Sequence, residues 1–340
     1  MDGLCKCPES ESNQWDDTGN VEQKKEVISM RFDEFKKYVA DNIKTYLPQE
    51  YENANVSVRQ AAKNNDISLS ALCIVGEHKT TPSIYLEQFY VQHLCGMPMG
   101  DVMEYIADVY LSSLRPDINI TAEDFTYEKL KDSIGVSVCN ATKNRKLLQD
   151  VPHEIKGDFA LTYHVKMSLG EDGEGVVQLH NSHLDMWGID ENTLRETAWH
   201  NMEHHFPYQL SDVHDMIEAE FDVSKLPGYG RKTTMYLLSN PDRFHGAAYM
   251  FSDKAMSAVA KKFAADMLVV PLSVHECVLL RRDEIQDMDE LKEMVEYIYK
   301  ARIRPEHALT SDIYLFDCKE QTLSKLDDVQ EQDMGMTQQM

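Results

Sequence analysis

The apolar positions of this 340-residue chain fall into short blocks whose spacing switches repeatedly between a helical and a strand period. Phe32, Phe35, Val39, Ile43 and Tyr46 recur at helical intervals until Pro48, which predicts an amphipathic helix. Val56 and Val58, then Ile67, Leu69 and Ala71, alternate on either side of Asn64-Asn65-Asp66 and predict a β-hairpin. Ser83–Leu86 reads as a short strand entering a helix over 88–94. Pro98 and Asp101 open another helix that carries Val102, Ile106 and Val109. Ile155, Gly157, Phe159, Leu161, Tyr163, Val165 and Met167 occupy every second position, with Lys156, Asp158, Thr162, His164 and Lys166 between them. That alternation predicts one half-buried strand with a solvated face. Gly170–Gly175 turns the chain, and Val176–His180 returns antiparallel. Helices are predicted near 190–205 and 211–220, and strands at Met235–Leu238 and Ala247–Phe251. A helix over Asp253–Asp266 follows, then strands at Met267–Leu272 and Glu276–Arg281, a helix over Asp289–Ala301 and a strand at Asp312–Cys318.

Strands in pairs followed by helices, without a regular βαβα alternation, predict an α+β fold with antiparallel sheets, packed helices and β-β-α units. Residues 1–25 are polar and acidic and read as a disordered tail, as do 327–340. Between them lie an N-terminal α+β region, 26–116, and a C-terminal α+β region, 117–326, which are also compatible with one continuous domain.

The charge balance narrows the partners. With 58 Asp and Glu against 34 Lys and Arg, the net charge is −24, a surface that repels phosphate backbones. The richest basic cluster, Lys143-Asn-Arg145-Lys146, is short and followed by Asp150, so direct nucleic-acid binding is not expected. Seven scattered cysteines, with Cys73 and Cys277 inside apolar runs, read as free thiols of a reducing cytoplasm. No segment reaches the apolar length of a membrane span.

Residues 180–204 hold the densest chemistry. His200-Asn-Met-Glu203-His204 fits the H-x-x-E-H template of inverted zinc peptidases. Residues four apart share a helix face, so His200 and His204 would bind zinc while Glu203 polarises its water. Glu218, Glu220 or His245 would have to supply a third ligand. The motif lies just before Phe206-Pro207, at a fraying helix end, and an exposed polar terminus is the favoured reading. His180-x-x-His183-x-Asp185 would add ligands at a strand exit. The simpler reading makes Asn181, Ser182 and Asp185 turn and capping residues, Trp187 a buried anchor, Gly188 the bend and Asp190 the next helix's N-cap. Asn181, Ser182, Asp185 and Trp187 also form a candidate functional surface. Ser273-Val-His275-Glu276 places its serine and histidine too far apart on a strand for a nucleophile–base pair. Cys5-Lys-Cys7 is a weak soft-metal site, and Gly228-Tyr-Gly230-Arg-Lys232 lacks the spacing of a phosphate cradle.

The segments Ile84–Tyr90, Leu179–Gly188, Leu238-Ser-Asn240, Gly246-Ala247-Ala248 and Val270–Glu276 together resemble a domain-of-unknown-function family from Clostridia and related gut Firmicutes, and the resemblance spans about residues 30–320. Leu194–Ala198 and the run 234–281 are similar to a second Firmicutes family of small cytosolic proteins. In the first pattern Asn181, Trp187, Gly188 and Asn201 belong, whereas His200, Glu203 and His204 do not. The resemblance implies bacterial cytoplasm and a shared fold, and brings no catalytic residues. The leading expectation is a non-catalytic protein that binds a protein or small-molecule partner, without a cofactor. The alternatives are a zinc-dependent hydrolase at His200, Glu203 and His204, and an acidic mimic of nucleic acid.

Overall fold

Phe35 and Val39 form the buried stripe of α1 (Phe32–Asn42), and a 3-10 turn at Ile43–Tyr46 carries the stripe on to Pro48. This and all that follows come from a computed structural model that describes residues 30–76, 82–114, 123–168, 174–220 and 233–327. The predicted tails, Cys5, Cys7, the Gly170–Gly175 turn and Gly228–Lys232 lie wholly or mostly outside the described residues.

Two compact units emerge: Met1–Ala62 with Ser68–Asn119, and Lys63–Ile67 with Ile120–Met340. In the first, β1 (Asn55–Ala62) pairs antiparallel with β2 (Ser68–Val75) from Asn55↔Val75 to Ala62↔Ser68. β3 (Ser83–Tyr85) extends that sheet. Helices α2 (Glu87–Leu94) and α3 (Met99–Ser112) follow, and Phe89, Val102, Met103, Ile106 and Tyr110 join Phe35 and Leu72 in one core. The buried Tyr110 hydroxyl donates to Ile74 O at 3.1 Å, which meets the requirement that a buried hydroxyl find a partner.

The second unit begins with α4 (Tyr127–Leu130) and β4 (Ile134–Asn140). Next come β5 (His153–Lys156), β6 (Phe159–Ser168) and β7 (Glu174–Gln178). β6 is central: β4 runs along one edge, while β5 and β7 take successive stretches of the other. The chain then forms α5 (Asn181–Trp187), α6 (Glu191–His204), β8 (Gln209–Asp212) and α7 (Val213–Glu220). After β9 (Met235–Ser239) come α8 (Asp253–Phe263), β10 (Met267–Val270) and β11 (Cys277–Arg281). α9 (Met288–Arg302), β12 (Tyr314–Asp317) and β13 (Thr322–Lys325) complete it. The second sheet of this unit is antiparallel, in the order β13-β12-β10-β11-β9-β8. Met267 and Val269 of β10 face the large core shared with β4 and β6. Leu268 and Val270 face a smaller core under Leu291 and Val295 of α9. This period of two explains why β10 is apolar throughout. The architecture is α+β with antiparallel sheets, and no helix among the described residues is long and apolar enough to cross a membrane.

Three expectations are corrected. The predicted strand 155–167 is a hairpin: β5 ends at Lys156, Gly157 adopts φ 58°, and Lys156 pairs with Phe159 across a two-residue Gly-Asp turn of the kind that matches strand twist. The face carrying Thr162, His164 and Lys166 is covered rather than solvated, with Thr162 buried and the Lys166 side chain only 25% exposed. The predicted strand Ala247–Phe251 is a 3-10 segment, Gly246–Phe251. Its small residues press so closely on β9 that a Cβ at Gly246 would stand 2.3 Å from Ser239 Oγ.

Candidate functional site

The covered face of β6 is where polar side chains converge. In the β4–β6 ladder Gly135 pairs with His164 and Ser137 with Thr162, and paired residues share a face. His164 Nδ1 lies 2.7 Å from Ser137 Oγ. Ser137 is buried, and its hydroxyl has no other partner among the described residues. A satisfied network therefore has the hydroxyl donate to Nδ1, which leaves the imidazole proton on Nε2. Gly135 makes room for that end of the ring: a Cβ there would stand 2.8 Å from His164 Nε2.

Opposite lies the loop after β9. Asn240 closes it, accepting from Phe244 N–H at 3.0 Å and donating to Phe244 O at 2.8 Å. The closed loop holds Arg243 at φ 48° and His245 at φ 55°, left-handed conformations that cost of order 1 kcal/mol each for a residue with a side chain. The His245 ring reaches His164 with ring centroids 5.4 Å apart, and its Nδ1 is buried without a hydrogen-bond partner among the described residues. Behind it, His245 N–H donates to His275 Nδ1 at 3.3 Å. His275 must then carry its proton on Nε2, from which it donates to His307 Nδ1 at 2.7 Å.

Burial pushes the pKa of all four rings down. His164 and His275 each fall to about 4, with Lys166 adding to the effect on the first and His307 on the second. His245 lies well below the usual imidazole value through burial and the neighbouring His164, His275 and His307. His307 is lowered chiefly by burial. At neutral pH all four are uncharged. Groups perturbed by burial and gathered beside a cavity make it a candidate functional site.

Between the two faces is a cavity of about 220 Å³. Met202, Phe206, Phe244 and Val176 give it apolar walls, while His164, His245 and Lys166 bring polar groups to it. Lys166 pairs with Asp242 at 2.6 Å. An apolar cavity with a few convergent polar groups is the usual form of a small-molecule site. A wider groove of about 560 Å³ runs past Asp158, Tyr314 and Lys325. There Lys325 is engaged by Asp312 and Asp158, so the groove's charges answer one another.

The residues singled out from sequence lie elsewhere. His200 and His204 are exposed on the last turn of α6, with ring centroids 4.3 Å apart. His204 Nδ1 donates to His200 O at 2.8 Å, and Lys254 donates to the Glu203 carbonyl. Glu218 is exposed on α7, and His245 belongs to the cavity. Among the described residues no group of three or more His, Cys, Asp or Glu is placed to hold a metal ion. His180 Nδ1 pairs with Asp150 at 2.8 Å, and His183 Nδ1 accepts from His180 N–H at 3.0 Å. Asn181, Ser182 and Asp185 are exposed on α5, a helix where a turn was expected. Trp187 is half-buried rather than a buried anchor, and its Nε1–H donates to Phe125 O at 3.1 Å. Gly188 (φ 67°) ends α5 and Asp190 caps α6 by accepting from Thr193 N–H, as predicted.

Residues 32–318 match DUF5688, a family of unknown function. The chain belongs to that family. No curated protein and no solved structure matches it. Within this DUF5688 chain, three of the segments that carried the resemblance meet beneath His245. Ser239 donates to His275 O at 2.7 Å, Ala247 N–H to Val274 O at 3.3 Å, and the Cys277 thiol to Ala247 O at 3.6 Å. A fourth point of the pattern, Asn201, donates from Nδ2 to Lys131 O and Ile134 O and ties α6 to the start of β4. The sequence signals were therefore Leu238–Asn240 and Gly246–Ala248, which bracket His245, and Val270–Glu276, which contains His275. Nothing in the spacing of β6 marked His164.

Proposed function

We propose that this protein binds a small molecule in the cavity between β6 and the loop 240–249. The observation that carries the reading is His245. A non-glycine residue held left-handed beside the cavity, with a buried ring nitrogen lacking a partner among the described residues, is a cost of the kind that clusters at functional sites. The cavity is smaller than the roughly 300–1,000 Å³ of drug-sized sites, which favours a compact ligand. Binding rather than turnover is supported by Ser137. Its hydroxyl is buried and bonded to the rear nitrogen of His164, the place of a positioning group rather than of an exposed nucleophile. Free thiols at Cys73, Cys95, Cys139, Cys277 and Cys318 support residence in a reducing cytoplasm, in keeping with the bacterial source that the resemblance implies.

A ligand-observed NMR screen with compact fragments tests the reading. Hits are expected to compete with one another, to shift the His164 and His245 ring signals and to be lost in Val176→Trp, which fills the cavity from β7. Hits that survive Val176→Trp in a folded protein would place the ligand elsewhere and end the proposal.

A further inference from the structure

We infer that the cavity takes a small organic carboxylate, its apolar body among Met202, Phe206 and Phe244 and its oxygens facing His164, His245 and Lys166. This rests on the ligand-binding reading and adds the class of ligand. The first argument is donor polarity. Ser137 fixes the His164 proton on Nε2, so the ring end away from Ser137 is a donor, and Lys166 contributes N–H groups alone. The single acidic residue among the described residues of the lining, Asp242, is engaged by Lys166 at 2.6 Å. Lys166 is committed in the same pair, so a ligand carboxylate would share the ammonium with Asp242 while accepting from the His164 Nε2–H, an arrangement that suits an acceptor with two oxygens. The second argument is the His245 ring, which lines the cavity with its Nδ1 buried and without a partner among the described residues. Protonated, the ring sets a positive charge beside the same ligand.

Proton uptake follows from the geometry. His164 faces Ser137, Lys166 and His245; His245 faces His164, Phe244 and His275, with His307 behind; His205, Asp242 and Tyr249 complete the titratable lining. Both rings are neutral when the cavity is empty because burial penalises their charge. An anion placed against them offsets that penalty and raises their pKa. Solvent then supplies a proton to one imidazole as the carboxylate binds, and affinity rises as pH falls.

The test uses benzoate against its neutral isostere benzamide, with the full chain, by titration calorimetry in buffers of different ionisation enthalpy. Benzoate is expected to bind at least about tenfold more tightly at about pH 5.5 than at about pH 8, with net proton uptake, while benzamide stays flat. His164→Gln is expected to reduce the uptake. Lys166→Gln/Asp242→Asn, which keeps the site's shape and net charge, is expected to weaken benzoate about tenfold and spare benzamide. The double variant keeps the question open to test if His164→Gln does not fold. Equal binding of the two probes at every pH, or benzoate binding without proton uptake, overturns the carboxylate assignment and leaves the ligand-binding reading standing. Absence of binding by either probe and by every fragment of the screen overturns both.

Discussion

Replacing Gly246 by alanine tests whether the 3-10 segment is truly seated against β9 and the His275 loop. A Cβ there would stand 2.3 Å from Ser239 Oγ, 2.7 Å from His275 O and 2.8 Å from Ser239 Cα. The hydroxyl could turn aside only by giving up its bond to His275 O. The other two atoms are backbone and have nowhere to go. Overpacking of this kind costs about 1–3 kcal/mol, and the lost hydrogen bond about 1 kcal/mol more. Gly246 is not left-handed, so alanine meets no conformational penalty and recovers about 0.4–1 kcal/mol through the unfolded chain. The net expectation is a loss of about 1–3.5 kcal/mol, or roughly 3–12 °C in Tm for a unit of this size. Two of the three tryptophans, Trp187 and Trp199, belong to the second unit, so in a Trp15→Phe background urea unfolding followed by tryptophan fluorescence reads that unit. Adding Ser239→Ala should restore only part of the loss, because the backbone contacts remain. A change below about 0.5 kcal/mol would refute the close approach, and with it the support assigned to His245.

Asn201→Ala should cost about 2–3 kcal/mol by chemical denaturation, because the carbonyls of Lys131 and Ile134 lose their shared donor. Acid should destabilise the second unit. His164 titrates near 4 when folded against 6.5 in the free side chain, so the unfolded chain binds more protons and stability falls as pH drops from about 6.5 toward 4, by about 2 kcal/mol at pH 5. His164→Gln should flatten that dependence in urea melts, and an unchanged slope would contradict the assignment. Elemental analysis of untagged protein is expected to find less than one zinc per chain; a full equivalent that disappears in His200→Ala/His204→Ala would restore the metal reading of α6.

The elements legible in sequence were those with one buried face. The stripes of α1, α3 and α9 and the hairpin around Asn65 declare themselves because water on the other side keeps the polar positions polar. β4 escaped notice because all seven of its residues, Ile134–Asn140, are buried, which erases the alternation that signals a strand. Ala247–Phe251 is apolar enough for a strand, but its conformation is dictated by the close seat of Gly246, a tertiary contact with no local trace. The same limit hid the site. Alternation along β6 separates the Thr162-His164-Lys166 face from the Leu161-Tyr163-Val165 face, yet only the folded chain shows that loop 240–249 covers the former. His200 and His204 attracted attention because helical spacing is readable. His164, His245, His275 and His307 come together from four separate segments, a proximity that no spacing rule records.

The ends of the six-stranded sheet bear on how copies of this chain meet. β8 and β13 are its outermost strands, and each is four residues long, about 13 Å of edge. α7 begins directly after β8 at Val213, and the last residue of β13, Lys325, is drawn back to Asp312. An incoming strand would find too short a ladder to hold it, so neither end can template open-ended polymer growth. Neither end of this sheet therefore recruits a further strand, even though β10, at its heart, is built wholly from Met, Leu and Val.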